Sequence, residues 1–115
     1  MDHYKLPVYN AARELVVQLT MSTQKVPRDI RITFVRDMQL KGMEIMKNIA
    51  FANYRVKKRA EYLTTALEEL EDIQISTRVL LDLKFIHEKG FAAIIRKESE
   101  TYTQLDAWRN SALNK

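Results

Sequence analysis

Cysteine is absent from the 115 residues, and glycine and proline occur only twice each. The first absence excludes disulfide staples, thiol nucleophiles and thiolate metal sites. The second argues against sandwiches and other turn-rich β folds, whose many tight connections draw on those two residues. No apolar run approaches the roughly 18 residues that a membrane span needs. The opening Asp2-His3-Tyr4-Lys5-Leu6-Pro7 has no signal-peptide core. One cytoplasmic domain over residues 1–115 is therefore expected, with no membrane partner. At 46% hydrophobic and 30% charged, the composition is that of a globular chain rather than a disordered one.

The chemistry of most enzyme sites is missing as well. A di-iron bundle needs Glu-x-x-His on two helices, but Lys84 stands three residues before His87 and nothing precedes His3 to supply the glutamate. Two histidines without cysteine make no convincing zinc set. Gly42 and Gly90 lie too far apart to form a phosphate-cradling loop. No serine, histidine and aspartate stand at a spacing that suggests a triad. The expectation is no catalytic residue, no metal and no cofactor, hence no enzyme. His87 reads as a helix-start or surface residue, and His3 as part of a disordered N-terminus.

What is present is helical periodicity. Residues from about 7 to 24 place Val8, Ala11, Ala12, Leu15, Val16 and Leu19 on one face, with Pro7 suited to the first turn. A second helix opens near Pro27 and fades near Asn53, carrying Val35, Met38, Met43, Ile45, Met46, Ile49 and Ala50. The third, from about 56 to 83, carries Ala60, Leu63, Ala66, Leu67, Leu70, Ile73, Thr77 and Leu80 three and four apart, as a bundle seam does. The fourth, from about 87 to 111, carries Phe91, Ile94, Ile95, Tyr102, Leu105 and Trp108, with a frayed tail over 112–115. Every connection is short, and short connections make neighbouring helices antiparallel. The fold class is all-α, an up-down-up-down antiparallel four-helix bundle. Methionines at helical spacing are ordinarily core, though they also suit adaptable interfaces. Helix 2 is apolar over a wide arc (Ile30, Ile32, Phe34, Val35, Leu40), which calls for cover on two sides and so for a ring-like or other oligomer.

Charge is distributed unevenly. Residues 1–59 hold twelve basic and five acidic side chains, whereas residues 60–115 hold seven and ten, within a net charge of +4. The turn Tyr54-Arg55-Val56-Lys57-Lys58-Arg59 is the densest basic feature, and a tyrosine adjoins it. It reads either as a solubilising turn or as a phosphate-binding one. Lys25, Arg28 and Arg31, with Arg36 further on, surround the turn from helix 1 to helix 2. Helix 3 carries the acidic run Glu68, Glu69, Glu71 and Asp72 with no basic residue four positions later. A tight reversal at residues 54 and 55 sets Lys41 level with Glu68 and Arg36 near Asp72 or Ile73. The run then reads as a solvated face trimmed by cross-helix pairs, or as a docking surface for a basic partner or a neighbouring subunit.

The stretch Val26-Pro27-Arg28-Asp29-Ile30-Arg31-Ile32-Thr33-Phe34-Val35-Arg36-Asp37-Met38, followed by Asn48-Ile49-Ala50-Phe51-Ala52-Asn53, resembles the helix-2 signature of the small four helix bundle protein family. That family includes proteins encoded in intervening sequences of large-subunit ribosomal RNA genes. It also includes Avd, the accessory variability determinant of diversity-generating retroelements. Leu6-Pro7-Val8-Tyr9-Asn10-Ala11-Ala12 and Tyr102-Thr103-Gln104-Leu105-Asp106-Ala107-Trp108-Arg109 are closer to the Avd-like branch. The ribosomal branch has an Asn-Ile-Ala-Glu-Gly-type segment where this chain has Asn48-Ile49-Ala50-Phe51-Ala52. The resemblance implies a homopentamer forming a positively charged barrel, partnered by a reverse transcriptase, template RNA and its cDNA. The role implied is non-catalytic support of mutagenic reverse transcription. Arg28, Arg31, Arg36, Arg55, Lys57, Lys58 and Arg59 are the candidate nucleic-acid contacts. Glu68, Glu69, Glu71 and Asp72 are the candidate partner-binding residues. The alternatives are a protein of the ribosomal branch and an oligomeric protein-binding scaffold.

Overall fold

Proline and a few backbone reversals set the ends of four long helices in the computed structural model, which describes residues 2–114 and has no strand among them. Helix α1 (Pro7–Ser22) opens on Pro7, whose missing N–H lies where no intrahelical acceptor exists. Helix α2 spans residues 28–54 as Arg28–Ile30, a π-helical stretch Arg31–Val35 and Arg36–Tyr54, without leaving the helical region. Pro27 stands just outside it: its ψ of 145° is extended, and its carbonyl accepts the first helical bond from Arg31 N–H at 2.9 Å. The second helix thus begins one residue later than its proline suggests.

Helix α3 (Arg59–Asp82) follows a separate 3₁₀ turn, Val56–Lys58. Helix α4 (Glu88–Leu113) uses His87 as an extended, exposed N-cap. It also runs further than expected: Ala112 and Leu113 continue it, Asn114 caps it, and Lys115 lies outside the described residues. Between α3 and α4 the chain reverses through Lys84 at φ 61°, with Phe85 N–H donating to the Leu80 carbonyl at 3.0 Å and Lys84 N–H to that of Leu81 at 2.9 Å. This is the paired closure of a helix end that normally uses glycine. A lysine supplies it here.

Each helix packs on two others, α1 and α3 each lying between α2 and α4, in a body of 45 × 21 × 21 Å. Leu15 and Leu19, Ile45 and Ile49, Leu63, Leu70 and Ile73, and Ile94 and Leu105 are fully buried between them. Each such side chain contributes roughly 1.5–3 kcal/mol by leaving water. Helices α1 and α2 pack tightly at Gly42, where an added Cβ would come within 2.6 Å of Val16 Cγ2. The register of α2 on α3 differs from the expected one. Lys41 Nζ meets Asp72 at 3.4 Å rather than Glu68, Arg36 forms no ion pair with Asp72 among the described residues, and Asn48 Nδ2 donates to Glu69 at 2.8 Å. The Val56–Lys58 turn, which a tight reversal at residues 54 and 55 leaves out, stands between the two helices and displaces the pairing.

The buried stripe of α4 is Ile94, Glu98, Thr101 and Leu105, at spacings of four, three and four. Glu98 is 1% exposed, and its Oε1 has no hydrogen-bond partner. Its Oε2 lies 2.7 Å from Thr77 Oγ1, which is also 2.8 Å from the Ile73 carbonyl. Thr77 has one hydroxyl proton, and the carbonyl can only accept. Both contacts are full hydrogen bonds when Glu98 is protonated and donates to Thr77. Burial, only partly opposed by the Thr77 contact, raises the Glu98 pKa from 4.5 to about 7.

Two expectations follow from this packing. Between pH 4.5 and about 7 the folded chain keeps a proton on Glu98 that the unfolded chain has released. Stability therefore falls as pH rises through that window, by about 3 kcal/mol from this group. Glu98→Gln, whose amide still donates to Thr77, should match the wild type near pH 4.5 and exceed it at pH 8, as measured by chemical denaturation. Gly42→Ala should destabilise by about 1–3 kcal/mol despite alanine's higher helix propensity. Adding Val16→Ala should recover part of that loss in a double-mutant cycle.

Candidate nucleic-acid interface

The cluster at residues 55–59 divides into charges that hold the fold and charges left facing water. Arg59 is half-buried. Its Nε donates to the Ala52 carbonyl at 2.8 Å and its Nη2 to that of Asn53 at 3.2 Å, while its guanidinium lies 5.3 Å from the Trp108 ring centre. It thereby serves the last carbonyls of α2, which have no helical donor, at the negative end of the helix dipole. Arg55 stacks over Phe51 at 4.4 Å and donates to the Tyr62 hydroxyl at 3.3 Å, yet remains exposed. Lys57 and Lys58 are exposed, and their side chains make no ion pair or hydrogen bond among the described residues.

Beside this turn stands an aromatic group that includes the N-terminus. Asp2 caps the 3₁₀ turn His3–Lys5. His3 Nδ1 is 3.0 Å from the Tyr54 hydroxyl, and its ring meets those of Tyr4, Tyr9 and Tyr54 at 4.1, 4.9 and 5.6 Å. Contrary to the expectation for His3, these ring contacts and the bond to Tyr54 fix its place against the start of α1 and the end of α2. Tyr54 nevertheless stays largely exposed.

The second basic set lies toward the other end of α2, from about 28 Å (Arg36) to about 40 Å (Arg28) from Arg55 at 1.5 Å per residue. Arg28, Arg31 and Arg36 are all exposed, and Arg31 Nη1 donates to the Gln24 carbonyl at 2.9 Å, bracing the α1–α2 connection. Arg31 and Arg36 flank a shallow apolar surface of Ile32, Leu40 and Met43. These three are 55%, 55% and 46% exposed. The methionine stripe is thus only partly core: Met38 is buried and Met46 half-buried, while Met43 faces outward. The wide apolar arc of α2 exceeds what α1 and α3 cover.

The acidic run on α3 also divides. Glu69 turns toward α2 and accepts from Asn48, and burial together with the nearby Glu44 carboxylate raises its pKa. Asp72 pairs with Lys41. Glu68 and Glu71 are exposed and form no ion pair among the described residues. Their face continues into Ile75 and Val79, which with Glu71, Gln74 and Arg78 line a shallow depression. Ile75 is 66% exposed. Its position seven residues after Glu68 was the sequence signal for an acidic and apolar face, since such residues share one side of a helix. The described residues contain no group of three or more His, Asp or Glu side chains suited to a metal ion. No helix among them is long and apolar enough to cross a membrane.

The division within the turn is measurable. Arg59→Ala should lower stability by about 2 kcal/mol, from two lost hydrogen bonds and the contact with Trp108. Lys57→Gln and Lys58→Gln should each stay within about 0.5 kcal/mol of the wild type in the same denaturation experiment.

No protein-family model matches this chain, and no curated protein matches it significantly.

Proposed function

We propose that this chain is a non-catalytic, Avd-like accessory protein of a diversity-generating retroelement. In this reading it binds a reverse transcriptase, and template RNA or its cDNA, through basic surfaces. The observation that carries the proposal is the exposed group Arg55, Lys57 and Lys58 beside the exposed ring of Tyr54. Ammonium and guanidinium groups on a helix-end turn neutralise phosphates, and a tyrosine face accepts a stacked base. The contacts tolerate any sequence, because nothing holds these side chains in a frame that reads base edges.

The reading includes an up-down-up-down antiparallel bundle and a ring of copies, five by the family resemblance. Crossed pairings support the first: Lys41 meets Asp72, while Asn48, further along α2, meets Glu69, which comes earlier in α3. Complementary faces support the second. The α2 surface of Ile32, Leu40 and Met43 is rimmed by Arg31 and Arg36, and the α3 surface of Ile75 and Val79 is bordered by Glu71 as well as Arg78, with Glu68 exposed one turn before Glu71. Two different faces of one chain that fit each other make a head-to-tail contact, which closes into a ring when the rotation allows. A ring repeats the basic turn along a rim, and a belt of charge attracts a polyanion more strongly than one patch. A second reading, an oligomeric scaffold that binds protein and no nucleic acid, is favoured by the exposed Glu68 and Glu71 beside Ile75.

Light scattering after size exclusion should give a mass near five times 13.5 kDa, and Leu40→Asp should reduce it. RNA affinity should fall steeply with salt. The triple variant Arg55→Gln, Lys57→Gln, Lys58→Gln should flatten the slope of log affinity against log salt by about 2 per engaged subunit. Salt-independent RNA binding would remove the electrostatic mechanism. A stable ring with negligible RNA affinity at physiological salt would select the scaffold.

A further inference from the structure

Where the α1–α2 and α3–α4 connections meet, the end of α1 and the start of α4 border a half-open groove of about 520 Å³. That volume lies within the range of small-molecule sites. Its apolar lining comes from Met21, Phe85 and Ile86, and its polar lining includes Lys25, His87 and Lys89. No carboxylate is among the described residues that line it. Lys41, Lys47 and Lys97 each pair with an acid elsewhere on the molecule, whereas Lys25 and Lys89 have no ion pair among the described residues. The amino end of α4, which the His87 side chain does not cap, adds partial positive charge at the same place, offset in part by Glu88 in its first turn. Apolar surface and two lysines without an ion pair among the described residues therefore share one concavity.

We propose that this groove binds a small organic anion. Its phosphate or carboxylate would sit against Lys25, Lys89 and His87, and its apolar or aromatic body on Met21, Phe85 and Ile86. Each half of the site needs the other. Inorganic phosphate meets the charges but leaves the apolar lining wet, and a neutral hydrocarbon leaves the ammonium groups without a counter-charge. Met21, long, unbranched and exposed, can adapt to the shape of the apolar body. A nucleic-acid backbone fits less well, since its phosphates follow an open track and gain nothing from the apolar lining. The inference does not depend on the accessory role proposed above.

The test uses the full chain and the fluorescent aromatic sulfonate 1-anilinonaphthalene-8-sulfonate. One saturable site per chain is expected. The double variant Lys25→Glu, Lys89→Glu should weaken binding at least tenfold. Ala93→Trp, at a groove-lining position, should weaken it comparably, with circular dichroism showing both variants folded. The two lysines are exposed, so the first variant remains informative if the second fails to fold. Octyl phosphate and octanoate should displace the dye, and the stronger competitor identifies the preferred anion. Inorganic phosphate at the same concentration should not displace it. Unsaturable binding, binding unchanged in the folded lysine variant, or displacement by a short RNA but by neither alkyl anion would each overturn the proposal.

Discussion

A single column of aliphatic side chains, shared by four helices, is the constraint on which the rest of the molecule depends. A body 45 Å long and 21 Å across has room for one layer of core residues along its axis. Each helix therefore commits one narrow stripe, such as Leu15 and Leu19 of α1 or Leu63, Leu70 and Ile73 of α3, and keeps the rest of its surface outside. Without cysteine, that column and the hydrogen bonds at the helix ends hold the fold. One close approach, at Gly42 against Val16, brings α1 and α2 together. One carboxyl, Glu98, occupies a place in the column that a hydrocarbon side chain would fill at lower cost.

A narrow column leaves faces uncovered, and those faces carry the functional reading. The apolar residues Ile32, Leu40 and Met43 on α2, and Ile75 and Val79 on α3, are surfaces a wider core would have absorbed. Their rims differ in charge: the first has two arginines and no carboxylate, whereas the second has Glu71 beside Arg78. The ends of the bundle follow the same logic. Helix termini leave carbonyl and N–H groups without partners, so charged side chains gather there. At the basic turn Arg59 is used in that way, which leaves Arg55, Lys57 and Lys58 to face solvent. The four charged residues of this turn thus divide between bonds within the fold and exposure to water.

Much of this was legible beforehand, for reasons that can be named. Helical period, few glycines and short connections lead to four helices, and the buried positions of α1 and α3 are the ones their spacing selects. What escaped notice were places where local signals mislead. Lys84 closes α3 in a conformation that usually announces itself with glycine. Glu98 stands on the buried stripe by spacing, four after Ile94 and three before Thr101, but a charged residue is readily read as outward. His3 looked free because its hydrogen-bond partner, Tyr54, is fifty-one residues away.

Periodicity and composition by themselves determined the helix count, the stripes that face inward and the positions of the charge clusters. These are properties of residues within a few turns of one another, and local spacing encodes them. Only the tertiary structure decided the register of α2 on α3, where Lys41 meets Asp72 and Asn48 meets Glu69 across a seam that the Val56–Lys58 turn displaces. It alone separated Arg59 from Lys57 and Lys58, since that depends on which carbonyls and which ring lie within reach of a guanidinium. The protonation of Glu98 and the groove beside Lys25 and Lys89 were decided there too. Burial and concavity arise between helices, and no stretch of chain contains them.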